Sequence, residues 1–169
     1  MVENGRHIEL ATASLAWVRG PRIRELKDRD SECVLARNHV GRVAFMGDGR
    51  LELLPVHYVF AEGALVGRTA LGTKYLSWLT RNEVVFEVDE SDGLFDWRSV
   101  VVRGTVTILR SHGSGAERAA YAAAIRALRG LLPQAMTPRD PTPYRGIIFA
   151  IVPKEITGRV AQSGTRLAV

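Results

Sequence analysis

The chain has 169 residues and a mass of 18.6 kDa, with 46% hydrophobic and 24% charged residues. These values fit one compact domain that buries roughly 70% of its unfolded surface, and they exclude a disordered or collagen-like polymer. The net charge of +5, from 23 Lys+Arg against 18 Asp+Glu, is spread without a dense block, a mild anion preference rather than a nucleic-acid footprint.

No apolar run approaches the roughly 20 residues of a membrane-spanning helix, and the start MVENGRHIEL lacks a signal-peptide pattern. Cys33 is the only cysteine, so neither an intrachain disulfide nor a cysteine-based zinc site is available within one chain. The expectation is a soluble cytoplasmic protein, neither secreted nor membrane-embedded.

Residues 1–20 read as a partly ordered arm ending at Gly20-Pro21, residues 21–160 as the domain, and 161–169 as a tail. From Arg22 to Asn38, Ile23, Leu26, Cys33 and Leu35 among charged residues predict one or two helical turns, with Ser31 as N-cap ahead of Glu32. Gly41 to Met46 reads as a strand, Gly47-Asp-Gly49 as a turn, and Arg50 to Phe60 as a second strand with Pro55 at an edge or bulge. Glu62-Gly63 turns the chain into Ala64 to Thr69, giving an antiparallel meander.

Gly72 to Asn82 carries Tyr75, Leu76 and Leu79 at helical spacing, with Thr73 at the start. Glu83 to Glu90 alternates as a half-buried strand. Trp97 to Leu109 is a β-branched strand in which Gly104 suits a bulge. Ala116 to Leu132 is an alanine-rich amphipathic helix, Pro133, Pro138, Pro141 and Pro143 enforce a loop, and Arg145 to Pro153 is a last apolar strand. About six strands with a few flanking helices predict a mainly β (α+β) protein built on a closed antiparallel barrel.

The stretch Gly67-Arg-Thr-Ala-Leu-Gly72-Thr-Lys74 follows a strand and opens a helix, combining two glycines, two cations and two hydroxyls. Helix-start N–H groups, Thr69 and Thr73 hydroxyls and the charges of Arg68 and Lys74 suit one phosphate dianion. Thr73-Lys74-Tyr75 replaces the Lys-Ser/Thr of a P-loop, which argues against ATP hydrolysis. The plainer reading is a turn with solvated cations.

Pro55-Val56-His57-Tyr58 lies in the strand just before. A proline there frees neighbouring backbone groups for an aromatic heterocycle, against the plainer reading of a surface His and a packed Tyr. Trp97-Arg98-Ser99 opens a curved strand and suits a planar ligand or a second subunit, against simple core packing of Trp97. The sequence holds no G-x-G-x-x-G, G-x-S-x-G, H-E-x-x-H or C-x-x-C, and its four histidines (His7, His39, His57, His112) fit no familiar metal spacing.

Taken in order, Gly41-Arg42-Val43-Ala44-Phe45, Leu54 to Tyr58, Arg68-Thr69 with Gly72-x-Lys74, Phe86 to Asp89, Trp97 to Gly104 and Ile156 to Arg159 resemble the pyridoxamine 5'-phosphate oxidase-like flavoproteins. The branch resembled contains nitroimidazole-resistance proteins, and the match spans roughly residues 22–160. The resemblance implies a split β-barrel and a homodimer with FMN at the subunit interface, its phosphate held by Arg68, Thr69, Thr73 and Lys74. It also implies that Pro55, Val56, His57 and Tyr58 line the isoalloxazine through main-chain contacts. Trp97, Arg98 and Ser99 would border the cleft near the partner, and His57 or Arg98 would supply charge near reduced flavin.

The basic C-terminal segment that binds vitamin B6 in the family is not found in Gln162 to Val169. The leading expectation is therefore an FMN-dependent oxidoreductase reducing a small electron-poor substrate, with no catalytic side chain assigned. The alternatives are an F420-dependent reductase of the same fold and a non-catalytic flavin- or haem-binding module. No nucleic-acid or membrane partner is expected.

Overall fold

The computed structural model describes residues 21–164. Its elements run β1 (Arg22–Glu25), α1 (Asp28–Arg37), β2 (Val40–Gly47), β3 (Arg50–Ala61), β4 (Ala64–Thr69), α2 (Thr73–Thr80), β5 (Glu83–Gly93), β6 (Asp96–Leu109), α3 (Gly115–Leu131) and β7 (Ile147–Gln162). The seven strands form one antiparallel sheet in the order β1-β7-β4-β3-β2-β5-β6, and a β7–β6 pairing closes strands β2 to β7 into a ring. This is the split barrel, and closure leaves β1 as an added strand on the far part of β7.

Alternation along the strands builds the core. Val43 and Phe45 on β2, Val56 and Tyr58 on β3, Val84, Phe86 and Val88 on β5, and Val100, Val102 and Val106 on β6 all point inward and are buried. Trp78 of α2 plugs the barrel by packing against Phe45 and Phe149, at ring separations of 5.9 and 4.9 Å. A second apolar cluster joins Val66 and Ile148 on the outside of the barrel to Ala124, Ile125 and Leu128 of α3 and to Ala135. Ser114 and Glu117 form a reciprocal capping box at the start of α3.

Two parts of the sequence reading are corrected. Arg22–Glu25 is a strand, not a helical turn, because it pairs with residues 159–162 of β7. The helix accordingly starts at Asp28, and Ser31 is not its N-cap but a buried interior residue whose hydroxyl donates to the Lys27 carbonyl at 3.2 Å. The last strand also continues past Pro153 to Gln162, held by β6 on one side and β1 on the other. The arm, residues 1–20, and residues 165–169 lie outside the described residues.

Gly104 sits where the β6–β7 register shifts: Arg103 faces Glu155 while Gly104 faces Pro153. A Cβ at Gly104 would run into the Val152 carbonyl and lie 3.0 Å from its carbon, a backbone contact that no side-chain rotation relieves. Gly104→Ala is expected to destabilise the fold by about 1–3 kcal/mol, read from the midpoint of denaturant unfolding.

Candidate functional site

The site forms where β4 runs out. Thr69 is paired with Ile147 of β7, which brings the residues just before β7 alongside the loop from Thr69 to the start of α2. Thr69 continues the inward parity of Leu65 and Gly67. The residue is buried, and its hydroxyl makes one hydrogen bond among the described residues, donating to the adjacent Ala70 carbonyl at 3.3 Å, so most of its bonding capacity is free. Among the described residues no side chain caps the N-terminus of α2: Gly72 stands at the cap, and the N–H groups of the first turn point out of the helix.

Lys74 lies half-buried on that first turn, its ammonium 5.6 Å from the Trp78 ring centroid. Burial pushes its pKa below the ordinary 10.5, and the charge of Arg145 pushes it further the same way. Arg145 itself stands beside the Tyr144 ring, 6.0 Å from its centroid. Neither cation has a salt bridge among the described residues. Two like charges near each other with no carboxylate partner among the described residues, beside unpaired helix N–H groups and the buried Thr69, have the chemistry that suits a dianion.

Arg68, grouped with Thr69, Thr73 and Lys74 in the expected phosphate site, points to the other face within this chain. Successive strand residues point to opposite faces, so Arg68 follows Val66 toward the α3 side while Thr69 follows Gly67 inward. There its guanidinium is bonded to the buried Asp140 through Nη1 and, at 3.0 Å, through Nη2, which also donates to Thr142 Oγ1 at 2.7 Å. The cation whose charge acts on Lys74 is Arg145. The sequence carried no motif for it, only its position two residues before a strand that pairs with the end of β4. Thr73 lines an adjoining cleft of about 470 Å³ with Met46, Leu76 and Ser77.

Pro55 to Tyr58 lie next to the cradle. β3 pairs with β4 only from Tyr58 onward, against Gly67, so Thr69 ends level with Val56 and the β3 edge beyond is open. Tyr58 donates its N–H to the His39 carbonyl at 3.0 Å, and backbone groups alternate sides along a strand. The Pro55 carbonyl therefore faces the open edge, and proline removes the N–H that would otherwise stand there unpaired. The side chains do different things. Val56 and Tyr58 are core residues, the Tyr58 hydroxyl donating to the Leu35 carbonyl at 2.9 Å and burial holding its pKa far above 10.0. Pro55 and His57 are exposed.

Trp97, Arg98 and Ser99 are not brought to the cradle within one chain. They lie on β6, three strand positions from β3 through β2 and β5, roughly 14 Å along the sheet. Arg98 points with Val100 toward the barrel end, 4.0 Å from Glu90, which is already held by Arg37 and by Asn38 at 2.6 Å. Ser99 points outward and donates to Glu87 at 3.3 Å. Among the described residues there is no cluster of metal-ligating side chains, and no helix is long and apolar enough to cross a membrane.

The sequence profile of pyridoxamine 5'-phosphate oxidase matches residues 27–160. The chain belongs to this family. No curated protein matches the sequence. Among solved structures, an FAD-binding protein from Mesorhizobium loti is 26% identical, with a TM-score of 0.67 over 85% of this chain and all of that one. An FAD-binding protein from Mycobacterium smegmatis is 27% identical, with a TM-score of 0.59 over 80% of this chain and 98% of that one. A Bacteroides thetaiotaomicron protein linked by name to 5-nitroimidazole resistance shares the fold at 14% identity, with a TM-score of 0.60 over 85% and 90% of the two chains. The pyridoxamine 5'-phosphate oxidase match takes in both β4 with the α2 start and the Arg145 segment.

Proposed function

We propose that this member of the pyridoxamine 5'-phosphate oxidase family binds FMN and passes electrons to a small electron-poor acceptor. The observation that carries the reading is the pair Lys74 and Arg145, two cations without carboxylate partners among the described residues, beside the uncapped start of α2 and the Thr69 hydroxyl. They fit a phosphate monoester. Thr69, Thr73, Lys74, Arg145 and the α2 N–H groups would hold it, and the open β3 edge at Pro55 would meet the ring through its backbone. Bound flavin supplies the hydride chemistry. The chain's own part is to anchor the phosphate, orient the ring along β3 and exclude water with Trp78 beneath Lys74.

The outer sheet face supports a homodimer. Leu53, Ala44 and Val85 stand in one cross-strand row, with Leu51 and Met46 in the next. Leu53 and Leu51 are 63% and 72% exposed, far more than an isolated soluble barrel needs. A second copy on this face would bring Trp97 and Ser99, which also point outward, toward the partner's β3 edge. Leu53→Glu is expected to convert dimer to monomer in sedimentation analysis while leaving the circular dichroism unchanged. A variant that remains dimeric would move the interface elsewhere.

FAD is a second reading, favoured by the two FAD-binding structures at 26 and 27% identity. The deciding experiment is a visible spectrum of purified protein titrated with FMN, FAD and F420, followed by turnover with nicotinamide donors and nitroaromatic or quinone acceptors. Flavin bands with turnover support the oxidoreductase. Binding without turnover points to a carrier or sensor module, and no binding of any of the three ends the reading.

A further inference from the structure

The loop between α3 and β7, residues 132–146, contains four prolines, none of which donates a backbone hydrogen bond, and no regular element. Its first half is held by Ala135 in the second apolar cluster and by Arg129, which donates to the Ala135 carbonyl at 3.0 Å, and its second half gathers on one carboxylate. Asp140 accepts the Met136 N–H at 2.7 Å and the Thr142 N–H at 2.8 Å, and both terminal nitrogens of Arg68. Arg68 Nη2 also donates to Thr142 Oγ1 at 2.7 Å, and the Thr142 carbonyl accepts the Arg145 N–H at 3.0 Å. Arg145 is thus fixed from two sides, by that turn and by the pairing of Ile147 with Thr69. Arg68 is the residue before Thr69, so a single dipeptide of β4 serves both ends: Thr69 faces the cradle, and Arg68 reaches round to the loop that supplies the cradle's second cation.

We infer that Arg68, Asp140 and Thr142 form a positioning relay that holds Arg145 beside Lys74 at the phosphate. The inference rests on the phosphate reading above. The relay touches no ligand, and its product is the placement of one guanidinium, which a loop without regular secondary structure would otherwise hold less closely. A dianion would then meet Arg145 already in place, without first ordering the loop.

The test compares FMN with riboflavin, which lacks the phosphate, by fluorescence titration of wild type, Arg145→Ala, Thr142→Val, Asp140→Asn and the double variant Asp140→Asn/Arg145→Ala. Wild type is expected to prefer FMN. Arg145→Ala, Thr142→Val and Asp140→Asn each lower that preference by about tenfold with riboflavin affinity unchanged, and the double variant loses no more than Arg145→Ala alone. Thr142→Val leaves the Arg68–Asp140 pair intact, so it reports on the relay even where Asp140→Asn fails to fold. Folded relay variants that keep the full preference, or losses that simply add, overturn the relay while leaving the phosphate cradle standing. A wild type without preference for FMN overturns the cradle and the relay with it.

Discussion

Lys74→Met is expected to weaken FMN binding by about 10- to 100-fold, because a charge-assisted hydrogen bond contributes about 1.5–3 kcal/mol and each 1.4 kcal/mol is a factor of ten. Folding should hardly change. The ammonium is half-buried with no carboxylate partner among the described residues, and burial and Arg145 both disfavour its charge, so its removal relieves a cost in the ligand-free state. Methionine keeps the apolar stem over Trp78. Riboflavin, which offers nothing for the ammonium to meet, should bind the variant as it binds wild type.

The same depressed pKa gives a pH signature. In the free protein the charged form of Lys74 is lost as pH rises through a value below 10.5, and a bound dianion pulls that value back up, so binding takes up a proton in the window between. FMN affinity should therefore fall as pH rises across that window, earlier than an ordinary lysine would dictate. Lys74→Met should flatten the profile. Titration between about pH 7 and 10 reads both effects. A variant with wild-type affinity and slope would remove Lys74 from the site.

How much of this was legible in the sequence depends on whether the signal was local. The alternation of Val84, Phe86 and Val88 and the β-branched run from Val100 to Val106 name their strands because every second side chain enters the core. The Gly104 bulge was legible for the same reason: a residue without a side chain stands where two backbones meet. β1 was not, since all four of its residues are exposed and its only reason to be extended is β7, more than 130 residues away.

The candidate site divides in the same way. Thr69, Thr73 and Lys74 share one strand-to-helix turn, a local pattern with a chemical meaning. Arg68 sits in the same pattern, yet strand parity turns it to the other face, and its partner Asp140 lies 72 positions on. Arg145 reaches the cradle only through the pairing of β7 with β4. Composition could count these arginines but could not say which one faces an anion and which one faces a carboxylate.

Arg68→Met should show what the buried pair does for the fold. Side-chain exposure is 10% for Arg68 and 2% for Asp140, and removing one partner of a buried pair strands the other's charge. The melting temperature is expected to fall by about 10 °C. A double variant Arg68→Met/Asp140→Leu would leave no stranded charge, but it would free the Met136 and Thr142 N–H groups. Its recovery should therefore be partial.

The acid limb of the stability curve gives the more specific readout. The Arg68 guanidinium, followed by the Thr142 and Met136 N–H groups, holds the Asp140 carboxyl well below its ordinary 3.8 against the opposing effect of burial. A carboxyl whose pKa is lower folded than unfolded contributes stability that is complete above the unfolded value and drains away as pH falls toward the folded one. Wild type should thus lose stability progressively below about pH 4. Arg68→Met removes the largest cause of the depression, so the folded and unfolded values draw together and the variant's slope in that range should be shallower. Denaturant unfolding at a series of pH values between about 2 and 6 measures the two slopes. Parallel curves would mean that Asp140 owes its ionisation to the backbone donors alone, and the loop would then be held by its own turn rather than by β4.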